Sequence, residues 1–349
     1  MLGALILILF KTVMKSFWNK LPRPFFALAP LANVTDCAFR ELVAKYGKPD
    51  VMWTEFVSAD GLCSPVGREK LMIDLAYTEA ERPIVAQIFS SKPENIREAA
   101  KLVALLGFDG VDINMGCPDR TIEKQNAGAA LIKNPKLAQE IIYAAKEGAG
   151  DLPVSVKTRI GYNKDILDEW IPMLLLTKPA AITIHARTRK EMSKLPARWE
   201  AVARAVKLRD EAESETLIIG NGDVKDLTEA RARIRETGAD GIMLGRAIFG
   251  NPWLFAPDLS FQHSQECWND KKTGVTGVTG VRERLKVLVE HTRLFEKKLG
   301  KVKNFSIMKK HYKAYVNGFD GAKELRMELM EAKNAGDAES IVKEFLKYR

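Results

Sequence analysis

Asn114-Met115-Gly116-Cys117-Pro118 puts a thiol in a tight turn directly after a short β-branched run that begins at Gly110. An ordinary thiol, with a pKa of about 8.5, is protonated at neutral pH and can act as a general acid. A nucleophilic Cys needs a neighbouring base, and no Cys-His pairing is evident in the sequence. An isolated Cys is also commonly a small buried hydrophobe, so this turn decides nothing by itself. Other residues with chemical potential occupy the same kind of position. Gln87, Lys157 with Arg159, and His185 with Arg187 each stand at the end of a short apolar run. Gly220-Asn221-Gly222-Asp223 and Gly245-Arg246 are glycine-containing turns that each precede a helical pattern.

Backbone N–H groups and helix N-termini at two such turns suit a phosphate, although either turn alone is an ordinary tight connection. A lysine pointing into a strand-lined mouth needs an anionic partner, supplied by a structural ion pair or by a bound anion. Gln87, Asn114 and His185, taken singly, are ordinary core polar groups. Their convergence in space would make them a site, and that depends on the elements that carry them.

Short apolar runs recur at residues 25–29, 51–54, 84–88, 110–114, 154–158, 181–185, 217–220 and 241–244. Helical patterns at 39–46, 93–106, 135–147, 199–209 and 227–237 separate most of them, with Thr35 or Asp36 as N-cap of the first. Eight such units in roughly 230 residues predict an α/β fold, a (β/α)8 TIM barrel, whose strand ends all face one cavity. An open doubly wound sheet competes, but no G-x-G-x-x-G follows the first strand. The expected organisation is an N-terminal extension over 1–20, a barrel over 21–256, a linker over 257–280 and a small all-helical domain over 281–349. Residues 1–13 read as a disordered extension or a mis-assigned start. The linker contains Thr-Gly-Val repeats, and Leu285, Leu288, Val289, Thr292, Phe295 and Leu299 form the apolar face of the first tail helix.

The 349 residues are 46% hydrophobic and 28% charged, as in soluble globular proteins. Cys37, Cys63, Cys117 and Cys267 are scattered without a CxxC pair, which argues against a zinc site or disulfide framework and for a reducing cytoplasm. The apolar stretch 1–10 is too short to span a bilayer and lacks the features of a signal peptide, so neither membrane nor metal is expected. The net charge is +9, and residues 282–313 hold eleven Lys or Arg against three Glu. That concentration points to a polyanionic partner, nucleic acid above all. A monomer is the default.

Six motifs now resemble one family in order and spacing: Ala29-Pro30-Leu31-Ala32-Asn33-Val34-Thr35-Asp36, Asn114-Met115-Gly116-Cys117-Pro118, Val156-Lys157-Thr158-Arg159-Ile160-Gly161, His185-Ala186-Arg187-Thr188-Arg189, Gly220-Asn221-Gly222-Asp223, and the run 241–246. They are similar to those of the tRNA-dihydrouridine synthases, with a looser likeness at Lys310-His311-Tyr312 and Gly318-Phe319-Asp320-Gly321-Ala322. The resemblance implies FMN, reduced by NADPH (or NADH), saturating the C5=C6 bond of particular uridines in tRNA. Cys117 would then be the proton donor to C5. Lys157 and Gln87 would meet the flavin ring, with His185, Pro30 and Leu31 helping to hold it. Asn221, Gly222, Asp223, Gly245 and Arg246 would take the ribityl chain and phosphate. Asn114, Arg159 and Arg187 would serve the substrate uracil and its phosphate, the base being flipped out and the tRNA gripped by the basic helical domain.

Leu31 and Asn33 stand where Met and Gly are common in that family, and residues 193–199 lack the Gly and acidic residue often seen there. Two other functions compete. One is a flavin barrel acting on a free pyrimidine or dihydroorotate, which leaves the basic tail unexplained. The other is a non-catalytic RNA-binding protein, which predicts no flavin.

Overall fold

The computed structural model describes residues 16–256 and 278–347. The expectations for residues 1–13, for Cys267 and for all but the last three residues of the linker lie outside them. The strands are β1 (Phe25–Leu28), β2 (Met52–Ser58), β3 (Ile84–Phe89), β4 (Gly110–Met115), β5 (Val154–Arg159), β6 (Ala181–His185), β7 (Leu217–Asn221) and β8 (Gly241–Leu244). Each pairs in parallel with its sequence neighbour from β2 to β8, and β8 pairs with β1. An Ala27–Val51 bridge, with Leu28 N donating to Val51 O at 3.1 Å, closes β1 onto β2. The predicted (β/α)8 barrel is therefore the observed one.

The helices are α1 (Cys37–Tyr46), α2 (Ala59–Cys63), α3 (Pro65–Leu71), α4 (Pro93–Leu105), α5 (Arg120–Glu123), α6 (Pro135–Ala149), α7 (Leu167–Leu175), α8 (Trp199–Glu211) and α9 (Leu227–Thr237). Beyond the barrel come α10 (Val278–Leu299), α11 (Met308–Tyr315), α12 (Ala322–Glu331) and α13 (Ala335–Lys347). Asp36, not Thr35, caps α1, its Oδ1 accepting from Ala38 N and Phe39 N at 3.0 Å each. The sequence pattern passed over α7 because Pro172 interrupts it, yet the helix runs through that proline and buries Leu167, Trp170, Ile171 and Leu174. Helix α10 starts three residues before the expected boundary, taking in the last residues of the Thr-Gly-Val stretch.

Inside the barrel the side chains change character along its axis. Phe25, Ala27, Val51, Trp53, Val85, Ile219 and Met243 form an apolar cluster, and Trp18, ahead of β1, packs onto Phe25 and Trp53. Burial of these rings fixes the strand register, because a one-residue slip would turn them outward. Towards the carboxyl ends the interior turns polar, through Gln87, Asp112, Asn114, Ser155 and Thr183. That gradient leaves a polar mouth above an apolar floor.

Helices α10 and α11 dock on α1 through rings. Phe39 stacks on His291 with centroids 4.9 Å apart and meets His311 at 5.0 Å, and the two imidazoles are 4.4 Å apart. Burial, with Lys310 adding to it, pushes His311 down to about 3, and burial also holds His291 well below its ordinary value. Because an unfolded imidazole titrates near 6.5, these groups stabilise the fold fully above that pH, and the contribution is lost as pH falls from about 6.5 towards 3. Asp36 and Asp112, pushed up to about 6 mainly by burial, act in the opposite sense over part of that range. The histidine contribution is therefore read by difference. His311→Phe should remove about 1.4 kcal/mol of pH dependence per unit between pH 6 and 4, measured as urea-unfolding stability against wild type.

Candidate active site

The chemistry-bearing turn after β4 is built by its own strand. Asn114, on the inner face of β4, accepts from Gly116 N at 3.1 Å and Cys117 N at 2.9 Å through Oδ1, closing the backbone into a hook. Arg159 on β5 holds the other side, its Nε donating to Gly116 O at 2.7 Å. Ala129 N donates to Cys117 O at 2.9 Å, and Gly128 takes φ 62 just where a Cβ would lie 2.8 Å from that carbonyl. The thiol is thus aimed by backbone on three sides. Burial raises its pKa above the ordinary value, against a bond from Asp119 N–H and the nearby Lys157 and Arg159 charges, so the sulfur carries its proton at neutral pH.

Behind the hook runs a buried polar chain. Asn114 Nδ2 donates to Gln87 Oε1 at 3.1 Å, Gln87 Nε2 to Asp112 Oδ2 at 2.6 Å, and Ser155 Oγ to Asp112 Oδ1 at 2.5 Å. Both amides are consequently locked in orientation. Lys157 pairs in register with Asn114 across β4 and β5, and its Nζ donates to Asn221 Oδ1 at 3.3 Å. Burial and the Arg159 charge lower the ammonium to about 8, with Asp112 opposing, so it is mostly charged at pH 7. Asp112 is a residue the sequence reading missed. It lies two positions before Asn114, and the period of a strand puts both on one face, which is the signal that could have found it.

Across the mouth, the turns after β7 and β8 face each other. Gly222 takes φ 139 and Asp223 φ 57, and a Cβ on Gly222 would meet Ala197 Cβ at 2.8 Å, so both conformation and space require glycine. The N–H groups of Asp223, Gly245 and Arg246 find no backbone acceptor among the described residues. Asp223 accepts from Arg187 and Arg246, and from Ala197 N at 2.9 Å. Burial pushes its carboxyl up, but these partners outweigh that and hold it below the usual range. His185 stays neutral, burial and four surrounding cationic side chains keeping it well below its ordinary value.

One cavity of about 1040 Å³, counting its open mouth, is lined by every residue singled out from the sequence: Cys117, Asn114, Gln87, Lys157, Arg159, His185, Arg187, Asn221, Gly222, Asp223, Gly245, Arg246, Pro30 and Leu31. Phe56 and Met243 line it too and were not anticipated, and Ser193 enters from the 193–199 segment. Arg159 and Arg187 also brace the wall. Arg159 Nη1 donates to Thr188 O and Met192 O at 3.1 and 3.3 Å, and Arg187 Nε to Leu195 O at 2.5 Å. The basic tail is likewise partly spent inside the molecule. Arg284 donates to Asn317 O, Lys298 pairs with Glu41, and Lys303 with Glu55 and Asp74. Arg282, Lys286, Arg293, Lys297, Lys301, Lys310 and Lys313 remain exposed.

The mouth of this closed parallel barrel gathers a thiol, an ammonium and two glycine-containing turns, the layout of a barrel enzyme. The chain belongs to the dihydrouridine synthase family, whose model matches residues 27–348. It is 40% identical over 333 residues to a probable tRNA-dihydrouridine synthase 2 of Bacillus subtilis (strain 168), covering 95% of this chain and 97% of that one. A probable tRNA-dihydrouridine synthase of Staphylococcus aureus (strain COL) is 39% identical over the same length, at 95% and 96% coverage. Among solved structures, 6-hydroxypseudooxynicotine amine oxidase from Pseudomonas geniculata N1 aligns with a TM-score of 0.51 at 14% identity, over 70% of this chain and 48% of that chain, a likeness of fold.

Proposed function

We propose that this protein reduces the C5=C6 bond of specific uridines in tRNA, with FMN held in the barrel mouth and NADPH (or NADH) as the source of electrons. The observation that carries this is the single cavity in which a protonated Cys117 shares the mouth with Lys157 and the β7 and β8 turns. The residues fit a flavin mononucleotide. N–H groups at Asp223, Gly245 and Arg246 that find no backbone acceptor among the described residues suit a phosphate, and Gly222 with φ 139 lets the chain turn tightly beside them. Asn221 sits between that cradle and Lys157, in reach of a ribityl chain. Gln87 and Lys157 serve the ring edge, and His185, Pro30 and Leu31 flank it.

When bound, the reduced flavin supplies a hydride to C6 of the uracil. Cys117 supplies the matching proton to C5 from Sγ, and the thiolate left behind is favoured by the Lys157 and Arg159 charges until it regains a proton. Asn114 contributes by holding the hook, and Arg159 and Arg187, on the cavity lining, would meet the uracil and its phosphate. A uracil in this mouth has left its stack, so the enzyme takes the base flipped out. The exposed cations of the helical segment grip the tRNA backbone, and tRNA affinity should fall steeply between 50 and 200 mM salt. No helix among the described residues is long and apolar enough to cross a membrane. We place the enzyme with its tRNA in the cytoplasm.

The test is direct. Purified protein should be yellow, and with NADPH it should form dihydrouridine in tRNA lacking the modification. Colourless protein that still binds tRNA overturns the enzyme reading in favour of a binding protein. Reduction of free uracil without tRNA favours the free-pyrimidine alternative.

A further inference from the structure

Lys303 follows α10, far from the cavity in sequence, yet its ammonium reaches the barrel rim. Its Nζ lies 2.7 Å from Glu55 Oε2 and 2.6 Å from Asp74 Oδ1. The Lys303 and Glu55 side chains are only 13% and 7% exposed, so the pair is not a solvent-weakened surface contact. Glu55 is turned towards the tail by an irregularity in β2, whose register with β3 shifts between Trp53 and Phe56. Such bulges re-aim side chains beside active sites. Here the next residue, Phe56, lines the cavity.

The second oxygen of Glu55 does different work. Oε1 accepts from Asn33 N at 2.5 Å. Asn33 has φ 54, a left-handed conformation that Asn tolerates at some cost and glycine adopts freely. It sits in the turn that shapes the cavity rim. Leu31 N donates to Thr35 Oγ1 at 2.8 Å, and Val34 N and Thr35 N donate to Leu31 O at 3.1 and 3.0 Å. Asn33 N is left to Glu55 alone. Leu31, one end of this turn, lines the cavity beside Gly245, its Cδ2 3.9 Å from where a Cβ on that glycine would sit.

We propose that Lys303 is a positioning residue: by holding Glu55 in place to clamp Asn33 N–H, it makes the shape of the cavity rim at residues 30–33 conditional on docking of the C-terminal helices. The consequence for cofactor affinity rests on the FMN reading of the cavity, whereas the clamp itself does not. A Lys303 that served only to glue the tail would loosen the tail when removed and leave the turn unchanged.

Full-length apoprotein separates these cases by amide hydrogen exchange and by FMN titration. In Lys303→Met, exchange across residues 31–35 should rise about tenfold and FMN should bind about tenfold more weakly, with Lys303→Arg returning both to within about threefold of wild type. Adding Asn33→Gly to Lys303→Met should recover most of the FMN affinity, because glycine needs no clamp to hold a positive φ, even though the tail contact stays broken. Should Lys303→Met not fold with its buried carboxylate unpaired, Lys303→Met with Glu55→Gln carries the same expectations, a neutral amide being the weaker acceptor. The proposal is overturned if turn exchange is unchanged while tail exchange rises, or if Asn33→Gly restores nothing. If wild type binds no FMN, the cofactor reading fails, and the exchange result alone decides the clamp.

Discussion

Cys117→Ala should lower dihydrouridine formation in tRNA by about a thousandfold, within the range that a positioned general acid contributes, while flavin retention stays at the wild-type level. The separation of effects follows from the geometry. The thiol projects from a hook whose shape is set by Asn114, Arg159 and Ala129 through the backbone, so alanine leaves the hook, the glycine turns and Lys157 where they are. What is lost is one proton at one atom. Because burial raises the thiol above its ordinary pKa, single turnovers with flavin bound should persist beyond the pH at which an ordinary thiol loses its proton and fall only as this sulfur deprotonates. Counting dihydrouridine in digested tRNA after single turnovers checks both points. Near-normal yield from the alanine variant would remove Cys117 from its role.

Lys157→Met should cost about 10- to 100-fold in flavin retention, as expected for deleting a partly desolvated cation that serves the ring edge. The side chain has few other commitments. Its hydrogen bond is a 3.3 Å contact to Asn221, and the Asp112 carboxylate is the acidic group that favours its charge. Methionine keeps the length and removes the charge. With the ammonium poised at about 8, wild-type affinity should weaken as pH rises through that value, and the dependence should vanish in the variant. Equilibrium dialysis of flavin at pH 7 and 9 on both proteins is the measurement, and identical affinities would reject the assignment.

The barrel was legible because its signal is local. A β-branched run such as Val154-Ser155-Val156 announces a buried strand without reference to anything distant, and parallel strands deliver their carboxyl ends to one mouth wherever they lie in the sequence. That is why Gln87, Cys117, Lys157 and Arg246, spread over 160 positions, could be named together and are found around one cavity. The parts that escaped depend on pairings no local pattern encodes. Asp112 looked like one more residue of its strand until Gln87 and Ser155 closed on it. Arg159 and Arg187 read as substrate contacts, but their donors also go to backbone carbonyls, at Gly116 in the hook and in the loop after β6. The tail charges read as one block, and only the fold shows that Lys303 belongs to Glu55 and Lys298 to Glu41.

Among the described residues, Trp18 wedges on Phe25 and Trp53 and plugs the amino-terminal end of the strands. On the proposed reaction, nicotinamide and nucleic acid must therefore visit the same doorway in turn, each leaving before the other can reach the ring. Initial velocities should accordingly give parallel double-reciprocal lines, the signature of a ping-pong cycle, and excess tRNA should inhibit competitively against NADPH.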